Sequence, residues 1–485
     1  MSPFSTILRS PPHAAMWTCA AVLCLSGCAL GLPPTQVASE TSAQWRAPLP
    51  HQGQLVQMRD WWKAQQDPLL LDLLDAAQDA SPSVAQAAAR LQSARANQAA
   101  ARAALLPRVD GSLSANRSLT QALMPAATSA SAGLQATWEV DVVGANRVAS
   151  DAANAQVQSG QAQWHDARVA VAAELANNYF ALLACERLAK IAQSDAASRE
   201  ETARLTGLLW NAGLARAGDV SLAQASAAES RSRQSQQSVQ CDVAVKGLVA
   251  LTAWDESALR RRLPPTQNNA TELPSFALAE LPAQTISQRP DVFAAERDVV
   301  VASAAVGSAQ AQQWPRLSLS GSIGALRYSA SGTDSDVTTW SLGPVALSVP
   351  LFDAGQRAAN VDLAQANYAQ SVVAYRAKVR QAVREVEESL VNLQSAQSRS
   401  ADAARALGGY AHALELARLR YQQGMSSLVE LEDARRASLA AESALASLEL
   451  ERQRAWVSLY RACGGGWDAQ AARSTVVPPV ALVAP

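Results

Sequence analysis

The residue types that perform chemistry in enzymes are few in this chain of 485 residues, and they are not clustered. Two of the four histidines, His13 and His51, lie close to the amino terminus. The other two, His165 and His412, fall in long helical patterns without cysteines or carboxylates at metal-ligand spacing. We therefore predict that His165 and His412 are solvated residues on helix faces, and that the chain holds no metal site.

A glycine run near the carboxyl end is the one candidate for a phosphate-binding loop. Gly464–Gly466 is not followed by the Lys-Ser/Thr pair that such a loop needs, and it ends a helical pattern. A Gly-x-Ser-x-Gly nucleophile motif is also missing. The sequence therefore predicts a protein that is not an enzyme, needs no cofactor, and takes energy from a partner protein.

Cys28 is the residue with the clearest predicted chemistry. A positive charge at Arg9 and an apolar run over Ala14–Leu25 form a secretion signal, which ends in Leu-Ser-Gly-Cys. Small residues directly before a cysteine are typical of the lipobox of bacterial lipoproteins, where cleavage leaves the thiol to carry a lipid. The interpretation is lipidation of Cys28; an ordinary signal with a chance cysteine is the alternative.

Three cysteines remain in the predicted mature chain, namely Cys185, Cys241 and Cys463. Cys185 and Cys241 are equally far in sequence from Gly213, a predicted helix-turn, so they could face each other across two helices. One interpretation is a disulfide; the other, favoured by the demanding Cβ geometry of a disulfide, is two small residues in a helix seam.

The overall charge excludes one class of partner. The net charge is −1, whereas a nucleic-acid-binding surface is strongly basic. After the signal, no run of about 20 apolar residues predicts a transmembrane helix.

The chain is an internal repeat of helix, two strands, and two long helices joined by a turn. Pro82 and Pro290 are 208 residues apart, and Gly213 and Gly424 are 211 apart. Heptad spacing, for example Val379, Val386 and Leu393, predicts coiled-coil packing of the long helices. These helices are expected over Asn146–Asn211, Asp219–Ala253, Gly355–Gln422 and Ser427–Arg461.

Each half contains a pair of alternating segments that predict a β-hairpin. The alternation of apolar with small polar residues fits strands that face lipid on one side and water on the other, although a soluble hairpin gives the same pattern. Loops are expected at Leu119–Ser131 and Ala330–Thr339. The strands are expected over Arg108–Ser118, Ala132–Val142, Arg316–Ser329 and Trp340–Leu351.

Glycines mark the tips of the two long helical hairpins, at Gly213 and Gly424, because a left-handed residue commonly ends a helix. Asp219 and Ser427 are the predicted caps of the returning helices. The predicted boundaries are signal peptide 1–27, lipid anchor and tether 28–60, first-repeat helices 61–107, first β-hairpin 108–144, first long helical hairpin 145–253, mixed segment 254–291, second-repeat helix 292–315, second β-hairpin 316–352, second long helical hairpin 353–463 and carboxyl-terminal segment with a disordered tail 464–485.

Four short motifs carry a resemblance to a known family. They are Trp61-Trp62 with Asp67-Pro68, Gln288-Arg289-Pro290-Asp291, Pro350–Gly355 and Gly464-Gly465-Gly466-Trp467. Together they resemble TolC-like outer membrane factors, in the lipoprotein (NodT-type) branch that serves resistance-nodulation-division efflux pumps.

The resemblance implies a fold, a location and partners. The fold is mainly α with a membrane β-barrel contribution, in which a homotrimer forms a twelve-stranded barrel on a twelve-helix periplasmic tunnel. The chain would be lipid-anchored in the bacterial outer membrane, extend into the periplasm, and form the passive exit duct for drugs or other toxic compounds. Its partners would be outer-membrane lipid, a periplasmic adaptor protein and an inner-membrane resistance-nodulation-division pump.

The resemblance also implies a gate at the hairpin tips. Tyr421 and Asp219 match the positions of a tyrosine and its hydrogen-bond partner, which close the tunnel between neighbouring hairpins. Glu430 and Asp433 match two acidic rings at the entrance, although both could simply be first-turn acids favoured by the helix dipole. Ser426 stands where some members carry a latching arginine, so the closed state is expected to be held more weakly or by other contacts.

Two alternatives of other classes remain at this point. A structural coiled-coil lipoprotein that spaces the outer membrane from the cell wall fits the helices but not the strands. An exit duct of a type I protein secretion system fits both, but the lipobox and the Gln-Arg-Pro-Asp motif count against it.

Overall fold

The protein was analysed as a computed structural model, which describes residues 30–38, 46, 61–119, 126–263, 282–330 and 333–467. The predicted lipidation of Cys28 falls outside the described residues. The first half contains α1 (Trp61–Ala64), α2 (Pro68–Ala80), α3 (Pro82–Ala103), β1 (Arg108–Ser118), β2 (Ala127–Val140), α4 (Ala145–Asn211), α5 (Ala217–Thr252) and α6 (Glu256–Arg262). The second half contains α7 (Pro282–Ser287), α8 (Pro290–Ala311), β3 (Arg316–Ala330), β4 (Thr333–Ser348), α9 (Gln356–Gln422) and α10 (Leu428–Ala462).

The internal repeat is confirmed at the level of whole elements. Helices α3 and α8 have 22 residues each, and helices α4 and α9 have 67 each. The returning helices α5 and α10 have 36 and 35 residues. The shift between the halves is 208 residues at the starts of α3 and α8 and of β1 and β3, and 211 residues at the starts of α4 and α9 and of α5 and α10.

The chain divides into two compact units, and the long helices contribute to both. The first unit comprises Met1–Ala38, Leu91–Ser159 and Ala295–Tyr375 and contains all four strands. The second comprises Ser39–Arg90, Gly160–Ala294 and Arg376–Pro485.

In the first unit the strands form one antiparallel sheet in the order β1-β2-β3-β4. The two predicted hairpins are therefore joined through pairing of β2 with β3, for example Leu134 with Ile323. The predicted loops are wrong, because β2 already begins at Ala127 and β4 at Thr333. Ser- and Thr-rich backbone there completes the ladder, in which Ser118 pairs with Ala127 and Ala330 with Thr333.

The two faces of the sheet differ in polarity, as the alternation predicts. One row across the sheet runs Gly111, Leu134, Ile323 and Trp340. The neighbouring row on the opposite face runs Asp110, Gln135, Ser322 and Ser341. The apolar side chains are not buried in this chain; three large ones are mostly exposed, namely Leu113 (85 %), Trp340 (77 %) and Leu342 (84 %).

The second unit has the largest described apolar core. Trp61 is fully buried and stacks on Tyr460 with ring centroids 5.0 Å apart, and Trp62 meets the same ring edge-on. Burial of three such aromatic rings removes large apolar areas from water, which is the main stabilising term in a core. The core also takes in α2, α4, α5, α9 and α10.

Heptad spacing is confirmed along α9, where Val379, Val386 and Leu393 are all buried. Ser427 caps α10, as predicted, because its hydroxyl accepts a hydrogen bond from the Glu430 amide at 3.2 Å. Asp219 does not cap α5, since that helix begins two residues earlier, after Arg216. Asp219 instead lies in its first turn, where a negative charge is favoured by the helix dipole.

His412 is exposed, as predicted, whereas His165 is half-buried and lies against Trp467, with ring centroids 5.1 Å apart. The prediction of a solvated His165 is therefore wrong, because the segment after α10 folds back over it. None of the helices in the described ranges is both long enough and apolar enough to span a membrane.

Candidate functional site

The turns that join the long helices have the same geometry in both halves. Gly213 and Gly424 adopt φ angles of +77° and +72°, the left-handed region that favours glycine. Each glycine amide donates to the carbonyl three residues earlier, and the next amide donates to the carbonyl five residues back. This Schellman-type closure satisfies the last carbonyls of α4 and α9 and fixes where the returning helix starts.

Tyr421 belongs to a small apolar cluster beneath the second turn. It packs with Ala417 of α9, Leu428 and Leu431 of α10, and Ala223 of α5. Asp219 is half-buried in the first turn of α5. Within the described residues of a single chain, neither the Asp219 carboxylate nor the Tyr421 hydroxyl forms a hydrogen bond or ion pair. The gate bond predicted between neighbouring chains stays a prediction.

The two predicted ring acids have different surroundings. The Glu430 side chain is exposed, whereas Asp433 forms an exposed ion pair with Arg436 one turn later. Ser426 is half-buried, and its hydroxyl donates to the Ala417 carbonyl at 3.4 Å. Glu430 therefore offers the less compensated negative charge near the turn.

A buried ionic cluster, which the sequence patterns did not predict, lies one to several helical turns from the hairpin tips. The Arg199 guanidinium of α4 donates to Asp195 on its own helix at 2.9 Å and to Glu432 of α10 at 2.8 Å. Ser226 of α5 donates to the same Glu432 oxygen at 3.0 Å. Arg435 donates to the other Glu432 oxygen at 2.5 Å. We call Asp195, Arg199, Ser226, Glu432 and Arg435 the inter-hairpin cluster.

The inter-hairpin cluster joins three helices through charge-assisted hydrogen bonds in a site nearly free of solvent. The side chains of Arg199 and Glu432 are only 2 % and 5 % exposed. Burial lowers the pKa of Arg435, and the adjacent Glu432 opposes that shift. The available signal was the Asp195–Arg199 spacing of four residues, which puts two opposite charges on one helix face. Periodicity alone did not show that they meet.

A disulfide joins Cys185 of α4 to Cys241 of α5, with Cα atoms 5.5 Å apart. The interpretation as two unlinked seam residues is therefore wrong, because the two positions face each other at the same level of the hairpin. The corresponding positions in the second half are Ala396 and Arg452. The first helical hairpin is thus covalently closed, and the second lacks this link.

Arg289, of the Gln-Arg-Pro-Asp motif, ties the start of α8 to two other helices. Its buried guanidinium donates to the Ala462 carbonyl at 2.8 Å, to Asp291 at 2.8 Å and to Glu385 of α9 at 2.7 Å. Burial would raise the pKa of Asp291, but hydrogen bonds and charge from Arg289 outweigh it and hold the pKa below its usual value. The motif thus anchors the end of α10.

The glycine run after α10 provides space for this anchor. A Cβ on Gly464, whose φ is +85°, would lie 2.6 Å from the Gln288 carbonyl oxygen. A Cβ on Gly465 would lie 2.4 Å from a methyl group of Val169. Among the described residues, no three His, Cys, Asp or Glu side chains are grouped so that they could hold a metal ion.

Comparison with known proteins gives consistent matches over most of the chain. The family model described as outer membrane efflux protein matches residues 73–253 and 281–465. Outer membrane protein OprJ of Pseudomonas aeruginosa is 31 % identical, over 92 % of this chain and 94 % of its own length. The toluene efflux pump outer membrane protein TtgI of Pseudomonas putida is 29 % identical, over 92 % and 97 %.

Solved structures give the same result for the fold. The open state of the MtrE outer membrane channel of Neisseria gonorrhoeae aligns with a TM-score of 0.71 at 25 % identity. That alignment covers 90 % of this chain and 98 % of the solved one.

Proposed function

The chain belongs to the outer membrane efflux protein family, and from that premise we propose that it is the outer-membrane channel subunit of a tripartite efflux system. Its transported compounds would be drugs or other small toxic molecules; toluene, in the name of the relative TtgI, is a molecule of the second kind. The chain itself would be a passive duct, with energy supplied by an inner-membrane pump.

The observation that carries this proposal is the exposed apolar face of the four-stranded sheet. Leu113, Trp340 and Leu342 are mostly exposed on it, and the opposite face carries serine and charged side chains. Exposing such large side chains to water is unfavourable by roughly 25 cal/mol per Å². Contact with lipid on this face and water on the other removes that cost.

Strand pairing supports assembly from several copies. In one chain, β1 and β4 are the ends of the sheet order and each pairs with only one described strand. Unpaired strand edges cannot be left in a membrane, so they must meet other copies. Three copies would supply the twelve strands that the family resemblance implies.

The hairpin tips would form the gate. In the closed state, Tyr421 of one chain would donate a hydrogen bond to Asp219 of its neighbour. Glu430 and Asp433 would line the entrance and favour cations there. Within the described part of one chain, neither the Asp219 carboxylate nor the Tyr421 hydroxyl has a hydrogen-bond partner, so both are available for a bond between chains.

Large apolar side chains near the tips offer a contact for the adaptor. Leu208, Trp210 and Leu214 are exposed around the first turn, and Met425 and Val429 around the second. Exposed apolar groups concentrated in one place mark protein–protein contacts more often than chance. We assign this surface to the periplasmic adaptor, and lipidation of Cys28 to the outer-membrane anchor.

The deciding experiment is reconstitution of the purified full chain in planar bilayers. We expect trimers that resist heat on gels and discrete single-channel currents. A monomer, or a trimer that adds no conductance, would instead favour a structural coiled-coil lipoprotein. An export assay with a toxic dye and with a secreted protein would separate small-molecule efflux from protein secretion.

A further inference from the structure

The segment directly after the predicted lipidation site packs against helices α8 and α9 within the first unit. Residues 30–38 are described, so the segment starts two residues after Cys28. It has almost no secondary structure of its own, apart from a tight turn in which the Leu32 amide donates to the Leu30 carbonyl. We call residues 30–38 the strap.

Two side chains hold the strap by its proline carbonyls. Ser303 of α8, which is fully buried, donates its hydroxyl to the Pro33 carbonyl at 2.6 Å. Tyr368 of α9 donates its hydroxyl to the next carbonyl, that of Pro34, at 2.7 Å. Because consecutive carbonyls are held by two different helices, the strap is fixed in both position and direction.

A glycine makes room for the strap residue that precedes these two bonds. Gly307 lies one helical turn after Ser303, and a Cβ there would be 2.3 Å from the Cδ2 methyl of Leu32. The Leu32 methyl therefore occupies the space that a side chain at position 307 would take.

The internal repeat shows that these contacts with the strap are not a general feature of the corresponding helices. At the corresponding positions of the first half, Arg95 stands for Ser303, Ala99 for Gly307 and Val157 for Tyr368. None of these three residues could reproduce the contact of its counterpart. Arg95 has no hydroxyl, Ala99 adds a Cβ, and the Val157 side chain has no hydrogen-bond donor. The matched helices α3 and α8, and likewise α4 and α9, have equal lengths, but the residues at the strap positions differ between the halves.

We propose that Ser303, Gly307 and Tyr368 form a docking site for the amino-terminal strap, which limits how far the acylated Cys28 can move from the first unit during membrane assembly. The proposal rests on the proposed lipidation for its purpose, but not for the docking itself. Because the first unit also contains the four strands, docking would keep the lipid within reach of the unit whose apolar face enters the membrane, before neighbouring chains pair with β1 and β4. Releasing the strap would let the lipid move away on a longer tether and slow trimer assembly.

The test places a nitroxide on the exposed Gln36 through Gln36→Cys in the full chain. The other described cysteines do not interfere, since Cys185 and Cys241 are joined and Cys463 is buried. We expect the electron paramagnetic resonance spectrum to show an immobilised nitroxide in the parent chain and a mobile nitroxide in the Gly307→Leu variant. Gly408→Leu is the matched control, because a Cβ at that helical glycine meets nothing within 4 Å.

Leu32→Ala removes the methyl without adding bulk to α8, so it remains informative if Gly307→Leu does not fold. It should also mobilise the nitroxide, as should Ser303→Ala combined with Tyr368→Phe. A nitroxide that is already mobile in the parent chain would overturn docking.

The assembly step is read as the fraction of chain recovered in outer membranes as heat-resistant trimer. We expect a several-fold decrease for Gly307→Leu and none for Gly408→Leu. An undiminished trimer fraction despite a mobile strap would overturn the assembly role. The mass of the amino-terminal peptide from the same samples reports acylation of Cys28, so failed lipidation is distinguished from failed docking.

Discussion

The Arg199 guanidinium of the first helical hairpin lies 2.8 Å from the Glu432 carboxylate of the second, and both side chains are almost fully buried. This contact joins the two hairpins of one chain near their tips. The family resemblance implies that some members carry a latching arginine at the position of Ser426, whose hydroxyl makes only a 3.4 Å bond within its own hairpin. The inter-hairpin cluster is the strongest described polar link between the hairpins at this level.

Glu432→Gln should strongly destabilise the helical part of the chain. Removing one charge of a buried pair leaves Arg199 and Arg435 under-compensated, which typically costs about 3–5 kcal/mol. Chemical denaturation monitored by circular dichroism measures the change. Glu201→Gln is the matched control, because it breaks an exposed ion pair within α4, with Arg204, and should have a much smaller effect on stability. Equal effects of the two substitutions would contradict the role of burial.

Tyr421→Phe combined with Asp219→Ala should raise the conductance of the closed channel. The double substitution removes both partners of the proposed bond between neighbouring chains, and Phe keeps the apolar packing of Tyr421 against Leu428. Single-channel currents in planar bilayers give the readout. Closed-state currents that match those of the parent chain would rule out this gate.

Neutralising the tip acids should reduce cation preference, and Glu430→Gln should do so more than Asp433→Asn. The Asp433 charge is already compensated by Arg436, whereas the Glu430 side chain is exposed. Three copies of an uncompensated acid around a narrow pore produce the larger local field. The reversal potential in a salt gradient measures this preference. The opposite order of effects would argue that Arg436 does not screen Asp433 in the assembled channel.

Sequence patterns predicted the features that depend on local periodicity. The repeat, the heptad seam at Val379 and Val386, and the turns at Gly213 and Gly424 each follow from spacing or from one backbone requirement. The start of β2 was missed because Ser- and Thr-rich backbone is equally compatible with a loop until a neighbouring strand pairs with it.

The inter-hairpin cluster and the docking site of the strap could not be predicted from periodicity. Arg199 and Glu432 are 233 residues apart, and Leu32 and Gly307 are 275 apart. Taken alone, Arg199 and Glu432 are typical charges on a helix face, and Gly307 is a glycine that a helix tolerates. Only the packing of segments that are distant in sequence brings the members of each group into contact, and local periodicity carries no information about that packing.

The disulfide leads to a prediction that distinguishes the two hairpins. Replacing both Cys185 and Cys241 with serine removes a link between residues 56 positions apart, which on the chain-entropy model costs about 4 kcal/mol. Because the second hairpin has Ala396 and Arg452 at the matching positions, the loss should be confined to α4 and α5. Hydrogen exchange of the full chain should therefore speed up in these two helices and stay unchanged in α9 and α10. Dithiothreitol should reproduce the effect in the parent chain and do nothing further to the double variant. Exchange that rises equally in both hairpins would show that the disulfide acts on the whole helical unit rather than on the hairpin it closes.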